Sequence, residues 1–198
     1  MGNPNHPQKG DIIRVEPIRD LKAIKNIKKL LSDKPRDLCL FILNINTNLR
    51  ASDALKITVG QVRYVQPKGH ITLRERKTGK IRNITINDTV YDALQKLLKH
   101  LGEGVNDDDY LFQSRKGKGK LTVPYLNSLV KGWLAAIKMP GNYGSHTLRK
   151  TFGWVHRTVF NTDLPTLCHL FNHSTQRQTL AYLGIQEQDV QDAYLKEI

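Results

Sequence analysis

The chain has 198 residues, 39% of them apolar, which is enough for one well-packed domain and a tight fit for two. Its 31 Lys and Arg against 18 Asp and Glu leave a net charge of +13 and a pI of 9.8, pointing to a polyanionic partner such as nucleic acid without naming a reaction. No apolar run approaches the ~18 residues of a membrane span. The polar start Met1–His6 has no signal-peptide core and no acylation pattern, so a cytoplasmic protein without membrane contact is expected.

Residues 1–10 are rich in Pro, Asn, Gly and Lys and are expected to be disordered. A single domain follows over residues 11–185. Leu21, Ile24, Ile27, Leu30 and Leu31 recur at helical spacing, and Asp37 to Ile45 reads as a nearly all-apolar, buried helix. That helix ends in Asn46-Thr47-Asn48, leaving Arg50 at a junction and Ser52 available to cap a short helix through Leu55 and Lys56. Gln61 to Tyr64, Ile71 to Arg76 and Ile81 to Ile86 alternate apolar and polar side chains. Turns at Gln66–Gly69 and Lys77–Lys80 separate them, which predicts a three-stranded antiparallel sheet with Lys77 on a hairpin turn.

Asn87 or Asp88 is placed to cap a helix with the stripe Val90, Ala93, Leu94, Leu97, Leu98 and Leu101, ending at Gly102. The acidic run Asn106–Asp109 lacks the other ligands of a calcium loop and reads as a solvated turn. Helices are expected over residues 123–138, 145–159, 163–171, 175–183 and 188–196, with Pro165 at an early helical position. The expected fold class is therefore α+β, a mostly helical domain with one small sheet. Cys39 and Cys168 lie in apolar segments and are expected as free thiols.

Charge is unevenly spread. Between Arg63 and Arg82 seven cations face only Glu75, and Ser114 to Lys120 adds four more with no acid. Arg74, Arg76, Lys80, Arg82, Arg115, Lys116, Lys118 and Lys120 are accordingly expected to form a phosphate-facing, nucleic-acid-binding surface. Residues 186–198 carry Glu187, Asp189, Asp192 and Glu197 against one lysine, so DNA would repel them, and a helix there suits a protein surface.

Six residues could supply phosphodiester chemistry: Arg50, Lys77, His146, Arg149, His173 and Tyr182. Breaking such an ester through a protein nucleophile needs an attacking oxygen, cations for the non-bridging oxygens and an acid for the departing oxygen. Each residue has an ordinary reading when taken alone. Arg50 fits a helix end, Lys77 a solvated turn that Arg76 or Lys80 could equally fill, and Tyr182 a core aromatic. His173 near His169 and Cys168 hints at zinc, yet that ligand set is incomplete and no metal is expected. Order and spacing together change the reading: His146-x-x-Arg149 on one helix face, then Asn172-His173, then Tyr182 nine residues on.

These segments resemble the tyrosine recombinase (phage integrase) family, whose signatures run H-x-L-R, a G-H pair and a nucleophilic tyrosine. The resemblance covers about residues 15–195. It implies that Tyr182 attacks the scissile phosphate to give a 3′-phosphotyrosine and that Arg50 and Arg149 hold the non-bridging oxygens. It further implies that His146 takes a proton or positions the nucleophile, His173 hydrogen-bonds the phosphoryl group and Lys77 is the general acid. Neither ATP nor a metal is implied, so no cofactor is expected.

Asn48 and Asn172 stand where the family commonly has Gly, and Asn also tolerates left-handed backbone. Lys150 stands where many members carry His. The resemblance further implies that the last helix docks on a neighbouring protomer, giving a tetramer on paired DNA sites. Many members carry an additional helical domain, so the chain reads either as a catalytic fragment or as a single-domain enzyme like the short fimbrial invertases. A DNA-binding relative without cleavage and a type IB topoisomerase remain as alternatives to a recombinase.

Overall fold

In the computed structural model, residues 15–76, 79–115, 117, 119–184 and 195 are described. The predicted disordered segment 1–10, Lys77, Lys116, Lys118 and the predicted helix over 188–196, Leu195 apart, lie outside them. Helix α1 (Leu21–Leu30) starts where the Asp20 carboxylate accepts from the Lys22 N–H, and it ends with Lys28 and Lys29 against its negative pole. Helix α2 (Pro35–Thr47) begins on a proline and buries Cys39, Leu40, Phe41, Ile42 and Leu43. Helix α2 is the spine of the domain, and its C-terminus delivers the chain to Arg50.

The short helix α3 (Ala51–Ala54) has Arg50, not Ser52, at its N-cap position, with no side-chain cap. Ser52 sits inside the helix, its hydroxyl turned toward Asp53 at 3.5 Å. Helix α4 (Gly60–Arg63) replaces the first expected strand, so the sheet has two strands among the described residues: β1 (His70–Arg74) and β2 (Ile81–Thr85). They pair antiparallel with Ile71 opposite Ile84 and Leu73 opposite Arg82.

Why Gln61 to Tyr64 does not extend the sheet is visible in its hydrogen bonds. The Val59 and Gly60 N–H groups just before it donate to the Asp109 and Asp107 carbonyls, the Val62 and Arg63 N–H groups turn back to the Val59 carbonyl, and the Gln61 side chain donates to Thr72 O of β1 at 3.0 Å. Within α4 only Val62 is buried, too little to separate a period of two from one of 3.6. The acidic run is thereby tied down rather than simply solvated, with Asp107 paired to Arg63 at 2.8 Å.

Helix α5 (Asp88–Leu101) is capped by the Asn87 side chain and stops at Gly102, whose φ of 74° suits glycine. It lies along α2. Helix α6 (Val123–Ala136) is capped by Thr122, and α7 (Ser145–Thr158) packs on both α2 and α6. Helices α8 (Leu164–Phe171) and α9 (Gln176–Leu183) complete the described fold, capped by Asp163 and Thr175. No described helix is long and apolar enough to cross a membrane. Both cysteines are free, and burial pushes the Cys39 thiol far up in pKa.

Two hydrophobic clusters result. The large one gathers α1 to α7, while a small one, Phe152, Leu167, Phe171 and Leu183, fastens α8 and α9 to α7. Gly153 makes that second junction possible. A Cβ there would stand 2.4 Å from Leu183 Cδ2 and 2.6 Å from Phe171 Cζ. Gly153→Ala gains ~1 kcal/mol of helix propensity but overpacks the junction by roughly 1–3 kcal/mol. The expected outcome is a melting temperature lowered by up to roughly 8 °C, with DNA cleavage reduced because Phe171 and Leu183 flank His173 and Tyr182. Calorimetry and a cleavage assay on the same preparation check both parts.

Candidate active site

Arg149 is the centre of the site. It projects from the buried face of α7 and is only 4% exposed. Its Nη1 donates to the Asn48 carbonyl, and its Nη2 donates to the Phe171 carbonyl at 3.0 Å, so one guanidinium ties the end of α2 to the end of α8. Both carbonyls are presented at chain reversals made by left-handed residues, Asn48 and Asn172, each with φ of 54°. Asparagine thus fills the two places where glycine was the family expectation, in the conformation glycine would supply.

A guanidinium has five N–H donors. Two carbonyl bonds leave Arg149 with three, enough for a bidentate grip on an anion. Burial draws its pKa down from the usual arginine range to about 10, with the nearby Tyr182 phenol working the other way and Arg50 and Arg82 pushing it further down. The cation is retained at neutral pH.

Arg50 approaches from the α2–α3 junction. Its Nη1 lies 2.8 Å from Glu75 Oε2 and 4.0 Å from Asp53 Oδ2, off the N–H direction, so these are ion pairs rather than aligned hydrogen bonds. Glu75 is 1% exposed and uses its other oxygen to accept from Arg82 Nη1 at 2.9 Å. Arg82 also donates to the Leu170 carbonyl at 3.2 Å, and Arg76 N–H donates to Asp53 Oδ1 at 3.0 Å. Two buried carboxylates therefore aim one arginine and fasten Arg76 and Arg82, which stand on either side of Lys77 in the sequence. Neither Asp53 nor Glu75 was singled out from the sequence, although Glu75 was the lone acid in a basic stretch. Removing one partner from such a buried pair typically costs about 3–5 kcal/mol.

Tyr182 is half-buried on α9, its ring 5.1 Å from Phe171 and 5.4 Å from His173, edge to face in the latter pair. The Lys150 ammonium stands over the same ring at 5.3 Å. The Tyr182 hydroxyl is buried with no well-formed hydrogen bond, although the Arg149 guanidinium is near enough to act on it electrostatically. Burial pushes the phenol pKa up, and Arg149 and Arg50 oppose that rise. His173 stacks on Phe171 at 5.1 Å and 18°, its Nδ1 3.0 Å from Thr179 Oγ1. His146, on the exposed side of α7, lines an open cleft of about 370 Å³ together with Lys150, His173, Gln178, Ala181 and Tyr182.

Five of the six expected catalytic residues, Arg50, His146, Arg149, His173 and Tyr182, are thus brought to one place, and Lys77 lies outside the described residues. Of the expected DNA-binding residues, Arg74, Arg76, Lys80, Arg115 and Lys120 are exposed. Arg74 donates to the Gly79 carbonyl, Lys80 reaches Asn172 Oδ1 at 3.4 Å, and Lys120 lies 5.2 Å over the Tyr110 ring. Arg82 alone among the described members of that set is turned inward. Among the described residues no cluster of three His, Cys, Asp or Glu is placed to hold a metal ion.

The phage integrase family matches residues 17–189 of the chain. A probable integrase/recombinase of Bacillus subtilis, YoeC, is 35% identical over 181 residues, covering 91% of this chain and 95% of YoeC. The tyrosine recombinase XerC of Caldanaerobacter subterraneus is 29% identical, covering 88% of this chain and half of XerC. Among solved structures, the XerA recombinase superposes with a TM-score of 0.73 at 16% identity, over 92% of this chain and 66% of XerA. XerH in a post-cleavage complex with its difH substrate gives 0.71 at 19%, over 96% of this chain and 55% of that one. The chain therefore belongs to the phage integrase family, the tyrosine recombinases, and has the fold of their catalytic domains.

Proposed function

We propose that the chain cuts and rejoins double-stranded DNA through a 3′-phosphotyrosine formed on Tyr182. One observation carries the reading: the Tyr182 hydroxyl is held beside Arg149, whose guanidinium keeps donors available for the phosphate that the hydroxyl would attack. Attack forms a bond from the Tyr182 oxygen to phosphorus and breaks the bond to the 5′ oxygen. Arg149 and Arg50 take up the charge that gathers on the non-bridging oxygens, where a fork of donors outperforms a point charge. His173 donates to the phosphoryl group, His146 accepts or steers the phenolic proton, and Lys77 supplies the proton to the departing 5′ oxygen. The ester is exchanged rather than hydrolysed, so the reverse attack reseals the strand.

Exposed Arg74, Arg76, Lys80, Arg115 and Lys120 would track the flanking phosphates, with Lys116 and Lys118 alongside them in the chain. The names of YoeC and XerC, and the XerH complex with DNA, support recombination between defined sites. Assembly of protomers on paired sites, with the segment after Tyr182 docking on a neighbour, belongs to the same reading.

A half-site nicked just beyond the scissile phosphate tests it. Escape of the short product prevents resealing, so wild-type chain should accumulate as a covalent protein–DNA adduct that peptide mapping places on Tyr182. Binding with no adduct would leave the DNA-binding reading instead. Relaxation of plasmids lacking any special site would favour a topoisomerase.

A further inference from the structure

His173 can donate to a phosphate in the cleft only if its proton sits on the nitrogen facing that cleft, and a neutral imidazole carries one proton on one of two nitrogens. What selects the nitrogen is a fully buried hydroxyl on α9. Thr179 Oγ1 lies 3.0 Å from His173 Nδ1 and 3.0 Å from Cys168 Sγ, between the ring and the thiol. Two orientations of this chain of groups are possible. In one, the Cys168 S–H donates to Thr179 and the Thr179 O–H donates to Nδ1, so a hydroxyl proton meets a good nitrogen acceptor. In the other, Nδ1–H donates to Thr179, whose own proton is left facing a thiol sulfur, a weak acceptor.

The first uses the stronger acceptor. We infer that Thr179 is a positioning residue: its hydroxyl donates to His173 Nδ1 and holds the imidazole with its proton on Nε2, ready for a phosphodiester oxygen. This rests on the proposed cleavage reaction and deepens it.

The supporting geometry fixes the ring as well as its tautomer. The His173 N–H donates to the Cys168 carbonyl at 2.9 Å, Phe171 stacks on one face, and Tyr182 meets the ring edge to face. Thr179 thereby couples a residue of α9, the helix that carries the nucleophile, to the histidine at the end of α8. Such partners of a functional histidine set its proton location and orientation without touching the reacting atoms.

The test uses the full chain, 15N-labelled at histidine, with the His173 signals assigned by their loss in His173→Gln. Long-range proton–nitrogen NMR near neutral pH should show His173 protonated at Nε2 and accepting at Nδ1. Thr179→Ser should keep that pattern, and Thr179→Val should lose it. On the nicked half-site, Thr179→Val should form adduct about 10-fold more slowly at saturating DNA, with unchanged DNA affinity, and Thr179→Ser should recover most of the rate. A wild-type spectrum with Nδ1 protonated overturns the inference, as does a Thr179→Val chain that cleaves at the wild-type rate. Should the valine variant not fold, the wild-type spectrum still decides. Should no form of the chain make an adduct, the cleavage reading fails while the tautomer is judged separately by NMR.

Discussion

Tyr182→Phe should bind DNA as the wild type does, melt at the same temperature or slightly higher, and form no covalent adduct. The chemical half follows from the missing oxygen. The stability half is specific to this site. The wild-type hydroxyl is buried without a well-formed hydrogen bond, so its removal deletes a poorly satisfied polar group and loses only its interaction with Arg149. Leaving such a group unpaired costs about 1–3 kcal/mol, of which the nearby Arg149 offsets a part. The ring keeps its contacts with Phe171, His173 and Lys150. A stability gain of ~1 kcal/mol raises the melting temperature of a chain this long by roughly 2–4 °C.

Nicked half-site assays, mobility shifts and calorimetry on one preparation read all three quantities. An adduct that persists in Tyr182→Phe would move the nucleophile to another tyrosine. Tyr143 is a poor substitute, because its hydroxyl is already committed to the Pro140 carbonyl, to which it donates at 2.8 Å. A marked drop in melting temperature would instead mean that the hydroxyl holds the fold together.

Much of this arrangement can be read from the residues alone, and the parts that cannot share a physical cause. Helix limits are legible where a cap and a stripe agree, as at Asn87 and Gly102 around α5 or Asp163 and Pro165 at the start of α8. The segment Gln61 to Tyr64 misleads because alternation over four residues is decided by who takes its backbone hydrogen bonds, and here Val62 and Arg63 turn back to the Val59 carbonyl while the acidic run holds Val59 and Gly60 just before them. In the site, order and spacing taken together pick out Arg50, His146, Arg149, His173 and Tyr182, none of which has a decisive local signal of its own. Asp53, Glu75 and Thr179 belong to no such pattern. Their roles exist only after folding sets Glu75 between Arg50 and Arg82, or Thr179 between Cys168 and His173. Arg149 is legible as a candidate phosphate ligand, the role proposed for it, and illegible as the tie between two carbonyls.

That double duty makes Arg149→Lys the most damaging conservative change in the chain. An ammonium is a point charge on a flexible stem and lacks the fork needed to reach the Asn48 and Phe171 carbonyls together while facing an anion. One carbonyl would be left unpaired, at about 1–3 kcal/mol of stability. Losing a preorganised donor to the transition state should lower the adduct-forming rate by about 10²–10³-fold.

The pH dependence separates charge from shape. Burial already draws the guanidinium down to about 10, and a lysine begins below an arginine, at about 10.4 in water. The same burial, with Arg50 and Arg82 adding repulsion, would hold the ammonium below its ordinary range and closer to deprotonation than the guanidinium. A lowered pKa on a cation means the proton leaves at lower pH, so the residual rate of Arg149→Lys should fall as pH rises through the mildly alkaline range while the wild-type cation persists. Single-turnover cleavage of the nicked half-site across that range reads the difference. Parallel pH profiles, with the variant within threefold of the wild type (about 0.7 kcal/mol), would place Arg149 outside the phosphate-binding machinery and reduce it to a brace between α2 and α8.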